Sequence, residues 1–220
     1  MLVTTEAIVL RSRKQGETSK IVTLYTLGFG KLNVIAKGAR ETKSKFGASL
    51  EMFAKSNVVF YKKDKHDSLS LLSKAETLDS HSAILKRLET IEAATEIIEL
   101  VLHAMHDEEA NEELYRLLDL SLDQLTATPS DRNGEHIIRT IQIRFYLGFA
   151  AIMGFAIELD TVSAELATVF RAIESESSKD LKLSEREYER ISGFFDSYFT
   201  EHLPGVTRRS MKSAKVFSSL

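Results

Sequence analysis

The chain has 220 residues, 43% hydrophobic and 28% charged, with 2 prolines, 10 glycines and no cysteine. That composition fits a folded protein and excludes disulfides, thiolate zinc sites, iron–sulfur clusters and cysteine nucleophiles. The net charge of −3 conceals an uneven distribution: residues 1–80 hold 14 Lys and Arg against 8 Asp and Glu, residues 81–202 hold 11 against 24, and residues 203–220 hold 4 against none. A basic first third and a basic tail around an acidic middle point to a polyanion as partner for the basic parts.

No apolar run approaches the roughly 18 residues of a membrane span, and the first residues lack the pattern of a signal peptide. The expected location is cytoplasmic. The first 79 residues read as strands. Glu6–Arg11 and Lys20–Leu27 are rich in β-branched residues, and Gly28, Phe29 and Gly30 turn the second into Lys31–Lys37. In that third strand Leu32, Val34 and Ala36 fall on one face, and Asn33, Ile35 and Lys37 on the other. Leu50–Tyr61 and Ser68–Thr77 follow, separated by the polar loop Lys62–Asp67. Five short strands fit a small barrel; the OB-fold is the usual one, and an SH3-like barrel gives the same count.

After Asp79 the period changes from two to that of a helix. Ile84, Leu88, Ile91, Thr95, Ile98, Leu102 and Met105 line one face of a long helix that the acidic Asp107–Glu109 interrupts. Further helices are expected over Glu112–Leu125, Glu135–Met153 and Ser163–Glu174, with loops at Thr126–Gly134 and Ser175–Lys179. Ser184 and Glu187 have capping-box spacing and open a last helix bearing Tyr188, Ile191, Phe195, Tyr198 and His202. The fold class is therefore α+β: a barrel domain over 1–79, an all-α domain over 80–202 and a basic tail over 203–220.

The densest cluster of cations is Lys37–Phe46, KGARETKSKF, which offers Lys37, Arg40, Lys43 and Lys45 against the single acid Glu41. Five-stranded barrels bind single strands through a basic groove with aromatic platforms, and Phe46, Phe29 and Tyr25 are the candidates for stacking. Arg11, Arg13, Lys14 and Lys20 around Gly16 extend the cluster, and Lys62, Lys63 and Lys65 mark a hairpin tip. In the tail, Arg208, Arg209, Lys212 and Lys215 with Phe217 read as a phosphate-binding arm. Arg132, Arg139 and Arg144 form a further basic set, suited to a peptide carboxylate.

No catalytic constellation is expected. His103 and His106 beside Asp107 lack a third metal ligand, and there is no phosphate loop, nucleophile elbow or dinucleotide fingerprint. No cofactor is expected either. The rival reading is a protein-interaction module whose basic face is incidental.

Ala7–Leu10, Gly16–Glu17, Ile21–Thr26, Gly30–Leu32, Ala36–Arg40 and Lys43–Phe46 occur in order and resemble the start of the RecO family, bacterial DNA repair and recombination mediators. The resemblance runs on through Gly47–Phe53 and resumes at Leu147–Asp160 and in LPGVTRRSMKSAKVF. It implies an N-terminal OB-fold that binds single- and double-stranded DNA, a helical domain, and a nucleoid-associated protein without enzymatic activity. It also implies annealing of complementary strands and action with RecR in loading RecA onto DNA coated by SSB, whose C-terminal tail docks on the helical domain in some members. The implied DNA-binding positions are Lys37, Arg40, Lys43, Lys45, Arg11 and Arg13. Many members carry a four-cysteine zinc motif after the stretch like Phe155–Asp160. This chain has no cysteine, so apolar packing is expected to hold residues 161–180.

Overall fold

The computed structural model describes residues 1–62, 69–175, 181–203 and 206. Five strands come first: β1 (Leu2–Gln15), β2 (Ser19–Thr26), β3 (Gly30–Ala36), β4 (Lys55–Tyr61) and β5 (Ser70–Asp79). They close into a barrel in the order β1-β2-β3-β5-β4. Every pairing is antiparallel except β3 with β5, which meet in parallel at Val34–Ser70 and Ile35–Leu71. This is the five-stranded OB-type barrel, which decides between the two barrels left open by the strand count.

Alternation along the strands builds the core. Leu32, Val34 and Ala36 point inward with Val22, Leu24, Val58, Phe60 and Leu72, while Lys31, Asn33 and Ile35 remain partly exposed outside. Burying each such Val, Leu or Phe side chain contributes about 1.5–3 kcal/mol. In β1, Ala7 and Val9 face inward opposite Thr26 and Leu24. A bulge then shifts the register between Val9 and Arg11. Beyond it Ser12 pairs with Val22, and Arg11 and Arg13 lie opposite Thr23 and Ile21 on the outer surface.

β4 begins later than its composition suggests. Gly47–Leu50 is a turn of 3-10 helix, and Phe53 adopts φ 72° with its ring fully buried. The backbone of 53–54 bonds to Val9, and the Nδ1 of buried His81 lies 2.9 Å from the Phe53 carbonyl oxygen. A β-rich sequence is bent here, and it sends Leu50 and Ala54 into the barrel core.

Five helices follow: α1 (Leu88–Ala104), α2 (Glu112–Thr126), α3 (Arg132–Ile152), α4 (Ala164–Glu174) and α5 (Glu185–His202). The expected start of α1 at Ile84 is a separate 3-10 turn, because Arg87 is extended and Thr90 Oγ1 donates to the carbonyls of Ile84 and Arg87. Asn111 caps α2 by accepting from the Leu114 amide, Asp131 caps α3 and Ser163 caps α4. Among the described residues, no helix is long and apolar enough to cross a membrane.

The chain divides into two compact units: Met1–Ser82 with Met105–Asp119, and Ala83–Ala104 with Leu120–Leu220. The barrel unit thus takes in residues 105–119, which sequence composition places with the helices. In the helical unit α3 packs against α1, α4 and α5. Its core is aromatic: Phe149 meets Phe199 at 5.7 Å between ring centroids, Tyr146 meets Phe195 at 5.1 Å, and Phe170 brings α4 onto Phe195 at 5.6 Å.

The capping box of α5 is formed on both sides. The Glu187 amide donates to Ser184 Oγ, and Glu187 Oε2 accepts from the Ser184 amide at 2.8 Å. The Ser184 hydroxyl, which donates to Glu187 Oε2 at 2.6 Å, and then the Ser184 amide hold the Glu187 carboxyl below its ordinary 4.5. Ser184→Ala is expected to cost about 1 kcal/mol in a denaturant melt at neutral pH. A lowered carboxyl contributes stability above the ordinary carboxylate range and loses it as pH falls through the native value. The difference between Ser184→Ala and the unaltered chain should therefore shrink on acidification below about pH 4.

Candidate nucleic-acid interface

The two front cation clusters meet at one end of the barrel. Gly16, at φ 60°, turns β1 into β2, and Gly38, at φ 72°, opens the loop after β3. Such left-handed positions suit glycine, which has no Cβ to clash. The Arg40 guanidinium donates to the Gly16 carbonyl oxygen at 2.7 Å, and the Arg40 amide donates to the Thr18 carbonyl oxygen at 2.9 Å. The Lys37–Lys45 loop is thereby fastened to the β1–β2 turn. Lys14, Lys37, Arg40, Lys43 and Lys45 are all exposed at this end. Arg11 and Arg13, also exposed, run onto the outer face of β1.

Among the described residues, Arg13, Lys14, Lys37 and Lys43 make no ion pair. An anion arriving there displaces no internal partner and lowers the mutual repulsion of neighbouring cations. Lys20 differs from this expectation: its Nζ lies 3.0 Å from Glu51 Oε1, so its charge is already met within the barrel unit.

The aromatic expectations are corrected. Phe46 is 2% exposed and belongs to the barrel core, with Lys45 Nζ 5.2 Å from its ring centre. Gly47, at φ 49°, turns the backbone so that the ring folds inward. Tyr25 is fully buried, and burial, followed by the charge of Glu109, pushes its hydroxyl up to about 12. Phe29 packs edge-on against Phe60 under Lys62. None of the three stands at the cationic rim as a stacking platform.

Sequence reasoning missed the outer face beside the arginines. The register sets Ile21 beside Ile35 and Thr23 beside Asn33, next to Arg13 and Arg11. Strands 2 and 3 present the usual ligand face of an OB barrel. The signal was present in the alternation, since Asn33 and Ile35 already fall on the face away from the core.

The remaining site residues lie apart from this surface or outside the described residues. Arg139 donates to the Leu183 carbonyl oxygen at 3.0 Å and stacks over the Tyr188 ring, so it ties α3 to the start of α5. Arg144 lines a cavity of about 460 Å³ with His136, Ile137 and Thr140. Arg132 is the first residue of α3. His103 Nδ1 lies 2.7 Å from the Glu99 carbonyl oxygen, one turn back in α1. Lys63 and Lys65, and the tail residues Arg208, Arg209, Lys212, Lys215 and Phe217, lie outside the described residues, as does the expected loop beyond Ser175.

Comparison with known proteins gives the same answer along both units. The family model for the recombination protein O N terminal matches residues 1–81, and that for the recombination protein O C terminal matches residues 85–164. The DNA repair protein RecO of Salinibacter ruber is 37% identical over 167 residues, covering 76% of this chain and 62% of that protein. The DNA repair protein RecO of Desulfatibacillum aliphaticivorans is 34% identical over 158 residues, covering 72% of this chain and 59% of that protein. In both cases the matched chain spans less than two thirds of the relative. The DNA repair protein RecO of Alkaliphilus metalliredigens is 26% identical over 249 residues, covering 98% and 99%. Barrel topology, the two consecutive family matches and these relatives agree: the chain belongs to the recombination protein O family, RecO.

Proposed function

We propose that this chain is a DNA repair and recombination mediator that acts by binding DNA through the barrel and not by bond chemistry. The observation that carries this reading is the Arg40–Gly16 bond, which gathers two sequence-distant basic clusters at one end of an OB-type barrel. Cations there neutralise backbone phosphates and release counterions, a source of affinity that does not depend on base sequence. Aromatic stacking is not needed for that, in keeping with the burial of Phe46 and Tyr25.

The surface serves single and double strands alike, because both present phosphates. Bringing two complementary strands to one cationic surface lowers their repulsion and speeds annealing. In this reading the chain acts in the cytoplasm, at the nucleoid, and works with RecR to assist RecA loading onto SSB-coated DNA. The helical unit supplies protein contacts, for which Arg144 and its cavity are one place and the SSB C-terminal tail one ligand.

The test is a fluorescence-anisotropy titration of a labelled single-stranded oligonucleotide at several salt concentrations. With about five phosphates contacted, log K falls against log salt with a slope of about −3.5. Affinity then drops roughly 100-fold between 50 and 200 mM salt. Binding that is absent, or flat across that range, overturns the proposal.

A further inference from the structure

The outer row of β3 changes character along its length. Lys37 is exposed and makes no ion pair among the described residues; six residues earlier, about 20 Å away along a strand, Lys31 is held by an acid. The acid comes from residues 105–119 of the same unit. Asp107 bridges to Lys31 along the edge, and its carboxylate lies 3.3 Å from Lys31 Nζ. Asp107 also accepts from Asn33 Nδ2 at 3.4 Å, and the Glu108 amide donates to the Lys31 carbonyl oxygen at 2.8 Å. The Glu108 carboxylate sits 3.0 Å from Lys62 Nζ. A side chain at Gly30 would overlap the Glu109 backbone, so the fit leaves no gap.

Two carboxylates thus stand where a DNA strand running along this face would next place its phosphates. We propose that Asp107 and Glu108 end the DNA track: a strand that enters over Lys37, Arg13 and Arg11 stops before Lys31. This rests on the DNA-binding reading above and adds a boundary to it. The boundary fixes the number of nucleotides that one barrel engages. It also keeps Lys31 and Lys62 out of the interface, although both lie on the barrel.

The test uses the full chain and labelled oligo-dT of graded lengths. Removing both acids by Asp107→Asn and Glu108→Gln takes two negative charges from this end of the face and releases Lys62, while keeping an acceptor oxygen for Asn33. The slope of log K against log salt should steepen by at least about 0.7, with affinity rising at least about 5-fold at 0.1 M salt. The shortest oligonucleotide that saturates the protein should lengthen as well. Glu185→Gln with Glu189→Gln makes the same change in net charge on α5 and is expected to leave the slope unchanged.

A second arm leaves the acids in place. Lys31→Met with Lys62→Met should alter neither slope nor affinity, because those cations are outside the track. The boundary is overturned if the acid-removal pair changes nothing, if the α5 pair matches it, or if removing the lysines flattens the slope. In each of those outcomes steep salt dependence of the unaltered chain preserves the DNA-binding reading. A flat slope in the unaltered chain removes both.

Discussion

Replacing Lys37, Arg40, Lys43 and Lys45 together by Glu is expected to weaken binding of single-stranded DNA at least about 600-fold at 0.1 M salt. Each phosphate contact to a single strand contributes about 0.7 to the salt exponent, so four contacts account for about 2.8 decades at 0.1 M. The slope should fall from about −3.5 to about −0.7, leaving only a contact made by the arginines of β1. Reversal adds repulsion to the loss of attraction, so the figure is a lower bound. The loop itself should persist, because its end is anchored by the buried Phe46 and its middle by the Arg40 amide bonded to Thr18. A circular-dichroism melt checks this. Phe46→Ala makes the opposite case, costing about 3–5 kcal/mol of stability through a core cavity. At temperatures where Phe46→Ala stays folded, its salt slope should match that of the unaltered chain. If the fourfold reversal leaves affinity intact, the basic face is incidental and the protein-interaction reading takes its place.

The second large effect concerns the helical unit. Phe199 is fully buried and meets Tyr146, Phe149, Phe155, Phe195 and Tyr198 at centroid distances of 5.6, 5.7, 6.3, 5.7 and 6.4 Å. Phe199→Ala should cost about 3–5 kcal/mol, from lost transfer energy and the cavity left behind. Aromatic pairs at these separations add about 0.5–1.5 kcal/mol each beyond area burial, so the upper end of the range is expected. Phe199→Leu, which keeps most of the volume, should cost far less. Urea unfolding followed by far-ultraviolet circular dichroism measures both. A loss below about 1 kcal/mol for Phe199→Ala would mean that the aromatic cluster does not hold α3, α4 and α5 together. Phe170 reaches the same cluster through Phe195, and with Ala167 and Ile173 it forms the buried side of α4.

The sequence disclosed some of this directly. The alternation in Lys31–Lys37 placed Leu32, Val34 and Ala36 together on one face, which is the face the core takes, and Ser184 with Glu187 marked the start of α5 to the residue. Those features depend on neighbours a few positions away. Phe46 did not disclose itself: a phenylalanine after three lysines and an arginine reads as a stacking platform until the turn at Gly47 is known. Leu50–Phe53 has strand composition, yet Phe53 takes a left-handed conformation and its amide donates to the Val9 carbonyl oxygen. The acidic Asp107–Glu109 read only as a break between helices. Its role depends on Lys31 and Lys62, each more than 40 positions away, and local pattern cannot reach that far. The candidate interface was legible as a set of cations. What pattern could not give was the bond from Arg40 to Gly16, or the pairing of Lys20 with Glu51 that takes one cation out of the set.

The bulge in β1 governs all of this by arithmetic. Before it, odd-numbered residues look inward; after it, even-numbered ones do. Arg11 and Arg13 share their parity with Ala7 and Val9, so an uninterrupted ladder would aim both guanidinium groups at the hydrocarbon interior. One additional residue, inserted between Val9 and Arg11, reverses the phase of the strand. It sends the two arginines to water and leaves Ser12, small and uncharged, to face Val22. A single unit of chain length therefore decides whether the same letters spell a core or a charged exterior.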